Sequence, residues 1–173
     1  MPKNGLEEIF WGLNFRRKKS AEVSRNEFLK TMPFFEHLTL KQLRKLANYL
    51  HERRYEEHEY LFEINHPGAA LFMIATGEVA VVTSSDSKSA TELARIRPGE
   101  FLGELALLDE SPRSASALAV KPTLTYALFR GDLNQLVLSE PEIACQVFKA
   151  LAIIVGERLK ATNRQVGLVR KAA

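Results

Sequence analysis

The sequence predicts an α+β fold: an antiparallel β-sandwich or barrel flanked by N-terminal helices and one long C-terminal helix. Three observations predict it. Residues 24–51 carry helix caps and apolar spacings of three and four. Residues 53–129 break into short β-branched and aromatic runs punctuated by turn residues. From Pro141 an apolar pattern of helical period runs to about Val169.

In chain order, residues 5–15 (GLEEIFWGLNF) place Leu6, Ile9, Phe10 and Leu13 at helical spacing, with Glu7 and Glu8 where a helix dipole favours acids. Arg16-Arg17-Lys18-Lys19 follows, so this amphipathic segment suits either an anionic membrane surface or an apolar groove on a protein. Ser24 and Glu27 form a capping box for a helix that stops before Pro33. Thr39 caps a second helix, Leu40 to His51, whose stripe is Leu40, Leu43, Leu46, Ala47 and Leu50.

Six strands are expected: Tyr60–Phe62, Ala70–Ala75, Val79–Thr83, Glu92–Ile96, Ser116–Ala119 and Leu124–Phe129. Turns separate them at Asn65–Gly68, Thr76–Glu78, Ser84–Ser89, Arg97–Glu100 and Lys121-Pro122. Many short strands at even spacing make a sandwich or barrel. After it, Leu133, Leu136 and Val137 indicate a short helix from Gly131 to Ser139. Ser139, Glu140, Pro141 and Glu142 then start the long one. Ile143, Val147, Ala150 or Leu151, Ile154 and Ala161 fall near a heptad seam, while Ala144, Phe148, Ile153 and Val155 make a second side apolar. One side is expected on the barrel and the other on a second helix, and a homodimer through this helix is one arrangement that would supply it.

Composition excludes several classes. No apolar run reaches the 18 or so residues of a membrane span, and the N-terminal Lys/Arg cluster follows the apolar residues, unlike a signal peptide, so a cytoplasmic protein is expected. The single cysteine, Cys145, rules out an internal disulfide, and the four histidines lack metal-site spacing. There is no P-loop, nucleophile elbow or paired-carboxylate motif, so no enzyme is expected. Charge is uneven: residues 1–30 hold 7 Lys/Arg against 4 Asp/Glu, residues 31–155 hold 12 against 16, and residues 156–173 hold 5 against 1. Basic ends can meet anionic lipid, nucleic acid or an acidic partner, or stay solvated.

The chemistry concentrates in Phe101 to Ala115, FLGELALLDESPRSA. Gly103 allows close approach of the backbone to a ligand, and Glu104–Leu108 suits one or two helical turns with amides facing an anion. Arg113 supplies a planar, permanently charged fork and Glu104 an acceptor for hydroxyls. Such a set suits a sugar phosphate. The same two residues also read as a salt-bridged pair across an empty site.

The run Phe101–Leu108 (FLGELALL), followed after three residues by Pro112-Arg113-Ser114-Ala115, resembles the phosphate-binding cassette of cyclic nucleotide-binding domains. That family includes bacterial catabolite regulators and protein kinase A regulatory subunits. Upstream, Pro67–Val79 (PGAALFMIATGEV) is similar to the paired strands and glycine turn that open its barrel. His58 and Asn65 stand where the family often has glycine, and both residue types tolerate positive φ.

The resemblance implies a jelly-roll-like antiparallel β-barrel over residues 31–140 with its leading helix, after an N-terminal extension, 1–30, and before a C-terminal lid or dimerisation helix, 141–173. It implies that Arg113 meets the cyclic phosphate and Glu104 the ribose 2′-hydroxyl. Gly103, Leu105 and Ala106 would offer backbone groups, Ser114 a hydroxyl near phosphate or base, and Val82, Leu93 or Leu102 an aliphatic wall. A residue of the last helix would cover the purine. Serine at 114 is compatible with cyclic AMP, with cyclic GMP the alternative. The implied function is a non-enzymatic cyclic nucleotide sensor acting on a downstream protein, with direct DNA binding not expected because no helix-turn-helix reader is visible after Gly131. The rival readings are a ligand-free scaffold or dimerisation module, and a peripheral membrane or nucleic-acid accessory protein.

Overall fold

The computed structural model describes residues 25–84 and 90–172, with side chains in the last helix described at 141–160 and 162–164. The amphipathic stretch 5–15, its basic tail, the Ser24 cap, the tip of the Ser84–Ser89 loop and the seam position Ala161 lie outside that description. Helix α1 spans residues 25–31. A 3-10 turn at Pro33–Phe35 leads to α2, Leu40–Ala47, then β1 Leu50–Tyr55, β2 Tyr60–Phe62, β3 Ala70–Val82, β4 Glu92–Ile96 and β5 Phe101–Leu102. Helix α3 is Leu105–Leu108, followed by β6 Ser116–Phe129, α4 Arg130–Ser139 and α5 Pro141–Ala172.

Local chemistry accounts for the helix starts. Thr39 Oγ1 accepts the Gln42 amide at 3.3 Å while the Thr39 amide donates to Gln42 Oε1 at 2.9 Å, a reciprocal cap. The helix ends at Ala47, four residues before the expected His51. Leu50 instead opens β1, opposite Leu128 of β6, and buries in the core beneath the helices. Pairing along β6 over the whole of Leu50–Tyr55 overrides the helical propensity of this segment.

The strands are antiparallel in the order β1-β6-β3-β4, with β2 added to β6 and β5 to β3. The four expected strands of the two central hairpins are two long ones, because the expected turns are bends within β3 and β6. Gly77 has φ +90°, and a Cβ there would sit 2.6 Å from Pro122 O and 2.3 Å from Thr123 Oγ1. Pro122 has no amide to donate, and the Thr123 hydroxyl takes the Glu78 amide at 3.2 Å. Glycine on one strand and proline on its partner therefore bend together, and the register shifts there. His58 and Asn65 adopt φ of 69° and 66°, the left-handed turns expected of them.

Alternation along β3 divides the interior. Leu71 and Met73 face the helices, where Leu29, Met32, Leu46 and Tyr126 pack with Leu133 and Leu136 of α4 and Ile143, Val147 and Leu151 of α5. Phe72 and Ile74 face inside the jelly roll with Val79, Leu102, Ala117 and Ala119. Both faces are thus buried and the roll is fixed against α4 and α5. The α5 residues Ile143, Val147 and Leu151 that fall near a heptad seam belong to this intramolecular face, whereas Phe148, Ile153 and Leu159 are exposed. No described helix is long and apolar enough to cross a membrane, and no described group of three or more His, Cys, Asp or Glu could hold a metal.

Candidate functional site

A cavity of about 450 Å³ opens between the cassette and the inner face of the roll, within the size range of small-molecule sites. Its floor is set by a clamp on Arg113. The Arg113 amide donates to His66 O and the Asn65 amide donates to Arg113 O, both at 2.9 Å. The left-handed Asn65 turn thereby holds the cassette arginine against the chain that leads into β3.

The Arg113 side chain is buried, with its guanidinium carbon 4.0 Å from the centre of the Phe62 ring. Nη2 donates to Ala70 O at 2.8 Å and Nη1 to Gly103 O at 3.3 Å. Nε is buried without a hydrogen-bond partner, and no described carboxylate forms an ion pair with this guanidinium. Burial pushes its pKa below the ordinary value, with Glu104 and then Tyr55 pushing back. The group stays charged at any physiological pH. Gly103 makes this placement possible: at φ +77°, a Cβ there would lie 2.5 Å from Arg113 Nη1.

Glu104 is also buried, but its partner comes from far along the chain. Arg158 of α5 donates from Nη1 to Glu104 Oε1 at 2.6 Å and from Nη2 to Phe101 O at 3.3 Å. The Glu104–Arg113 salt bridge that an empty cassette would suggest is not made. Helix α3 is one turn long, and the Ala106 amide already donates to Gly103 O at 3.2 Å.

Of the residues singled out from sequence, Leu102, Gly103, Glu104, Leu105, Ala106, Arg113 and Ser114 line this one cavity. Val82 and Leu93 do not. Val81 and Ala94, paired across β3 and β4, face the cavity in their place. Register passes from Val81↔Ala94 to Val82↔Glu92, so Leu93 occupies a bulge and is 59% exposed. A slip of one residue turns every side chain to the other face. Phe62, Ile96 and Arg158 were not singled out. The only sequence signal for Arg158 was that a residue of the last helix should lie over the site.

A second cavity of about 360 Å³ lies between the Pro33–His37 turn and α5, and Ile96 and Arg158 form walls of both.

A family model described as the cyclic nucleotide-binding domain matches residues 52–140, half of the chain. The cyclic AMP receptor protein of Thermus thermophilus is 33% identical over 141 residues, covering 82% of this chain and 63% of its own length. A putative potassium channel protein of Rhodopseudomonas palustris is 33% identical over 116 residues, covering 67% of this chain and 28% of its own. The chain therefore spans less than two thirds of either relative. A crystal structure of a cyclic nucleotide-binding domain from Methylobacillus flagellatus matches with TM-score 0.72 at 26% identity, over 85% of this chain and 83% of that one. With the family model, the jelly roll and the cassette cavity in agreement, the chain belongs to the cyclic nucleotide-binding domain family.

Proposed function

We propose that this chain is a non-enzymatic regulatory module that binds cyclic AMP in the cassette cavity. One observation carries the reading: Arg113 is a buried guanidinium facing a cavity, with Nε unpartnered and no ion pair to any described carboxylate. A buried charge without a counter-ion is costly, and an anion at that position relieves the cost. A cyclic phosphate supplies the anion, and its oxygens can take paired, fully ionic hydrogen bonds from a guanidinium that a neutral carbonyl does not offer.

Glu104 then accepts the ribose 2′-hydroxyl, Ser114 faces phosphate or base, and Val81, Ala94 and Ile96 give the purine an apolar wall. Gly103 and Leu105 provide backbone near the phosphate. Serine at 114 and the name of the Thermus relative support cyclic AMP over cyclic GMP. A second copy packs along the exposed side of α5, and a downstream protein reads the change.

The test is a thermal melt with cyclic AMP and, separately, cyclic GMP. A hundredfold excess over Kd adds about 2.7 kcal/mol, which raises the midpoint of a chain this size by roughly 5–10 °C. Arg113→Ala should abolish that rise. Calorimetry with a panel of cyclic mono- and dinucleotides ranks the bases, and a panel giving neither heat nor a melting shift leaves the ligand-free scaffold.

A further inference from the structure

Three consecutive carbonyls, two just ahead of β3 and one at its first residue, are held by two arginines. Arg130 Nη2 donates to Gly68 O at 3.2 Å, the Arg130 amide donates to Ala69 O at 2.8 Å, and Arg113 Nη2 donates to Ala70 O at 2.8 Å. Each arginine also grips the cassette, at opposite ends. Arg113 reaches Gly103 O, ahead of α3, whereas Arg130 Nη1 donates to the carbonyl of Asp109, the residue whose amide caps the far end of α3. Gly68 brings the two systems together: a Cβ on it would lie 3.4 Å from Arg113 Nε and 2.8 Å from Ala106 Cβ.

The two arginines differ in what they face. Arg113 lines the cavity; Arg130 does not, and it is the first residue of α4, which packs on α5. We infer that Arg130 is a positioning residue that couples the cassette to the helices, delivering a displacement of α3 to the start of α4. The inference rests on the proposed cyclic nucleotide reading. When a phosphate engages Arg113, the bonds to Gly103 O and Ala70 O compete with bonds in which both partners are charged, and that cross-link loosens. Arg130 stays outside the ligand and keeps its hold on Asp109 O and the 68–69 carbonyls. The cassette then moves with α4 as one body, a two-state element that ligand can bias.

The test uses the full chain with cyclic AMP, reading binding by calorimetry and the helices by hydrogen exchange over residues 130–160, with residues 101–115 followed in parallel. In the wild-type chain cyclic AMP should alter exchange in both regions. Arg130→Gln should still bind and still respond in the cassette, but its helix response should fall at least about fivefold, the low end of typical site-to-site coupling. Arg130→Lys keeps the charge yet cannot reach both carbonyls at once, so an intermediate response is expected. It also serves as the readout if the glutamine variant does not fold. Binding with a full helix response in a folded variant overturns the coupling alone, whereas a wild-type chain that binds no cyclic nucleotide overturns the coupling together with the reading beneath it.

Discussion

Glu104 and Arg158, 54 positions apart in sequence, meet at 2.6 Å where the cassette touches the long C-terminal helix. The carboxylate is 6% exposed and the guanidinium 49%. The pair ties the proposed ribose acceptor to α5, so a ribose hydroxyl and Arg158 address the same carboxylate.

A double-mutant cycle with Glu104→Gln and Arg158→Ala should show this directly. With Arg158 half exposed, the coupling should be about 1–2 kcal/mol in the unliganded melt. Saturating cyclic AMP should reduce that coupling, because the ribose then satisfies Glu104. An undiminished coupling would place Arg158 beside the bound ribose, without competition.

The bend shared by β3 and β6 makes a ranking of glycines. Gly77→Ala should destabilise the fold by at least about 2 kcal/mol, combining positive-φ strain with a clash against Pro122 O. Gly99, at φ +87° with nothing within 4 Å of a Cβ, should cost only the strain, about 1 kcal/mol. Denaturant melts of the two variants check the order.

Glu78 is a buried carboxylate facing Lys121 at 3.1 Å, Arg97 at 3.3 Å and Arg95 at 3.8 Å. Its bond to Lys121 holds its pKa below the ordinary carboxylate value, with burial opposing and the three cations adding to the drop. A depressed acid stabilises the fold above its unfolded pKa of about 4.3 and loses that contribution as pH falls through the folded value. Stability should therefore decline on acidification below about pH 4.5, and Glu78→Gln should flatten that limb while lowering stability at neutral pH. Chemical melts across pH 3–7 would show the two curves converging at the acid end.

Along α5, Cys145, Phe148 and Leu159 share the side turned away from the roll, and each is exposed. Phe148→Glu combined with Leu159→Glu should convert a dimer to a monomer in light scattering without changing cyclic AMP binding. Cys145 is the single cysteine, so oxidative cross-linking of the wild-type chain at that position reports a parallel pairing. A wild-type chain that scatters as a monomer at high concentration removes the proposed pairing.

The legible parts of the sequence were those whose signals act within a few residues. Thr39 with Gln42, the left-handed turns at His58 and Asn65, the start of α5 at Pro141 and the cluster Gly103, Glu104 and Arg113 each follow from local backbone and side-chain chemistry. The turn residues at Gly77 and Pro122 were read correctly as breakers but wrongly as strand ends, because only their pairing shows that two breaks facing one another make a bend.

By itself the sequence determined which residue types the cassette offers: a glycine that leaves room, a carboxylate and an arginine. Tertiary structure alone decided that Leu50–Tyr55 is a strand, that Val81 and Ala94 face the cavity instead of Val82 and Leu93, and that Arg158 closes on Glu104. The physical reason is range. Caps and turns are settled over three or four residues of local geometry, whereas register, facing and ion pairing across 54 positions depend on where distant backbone has already been placed.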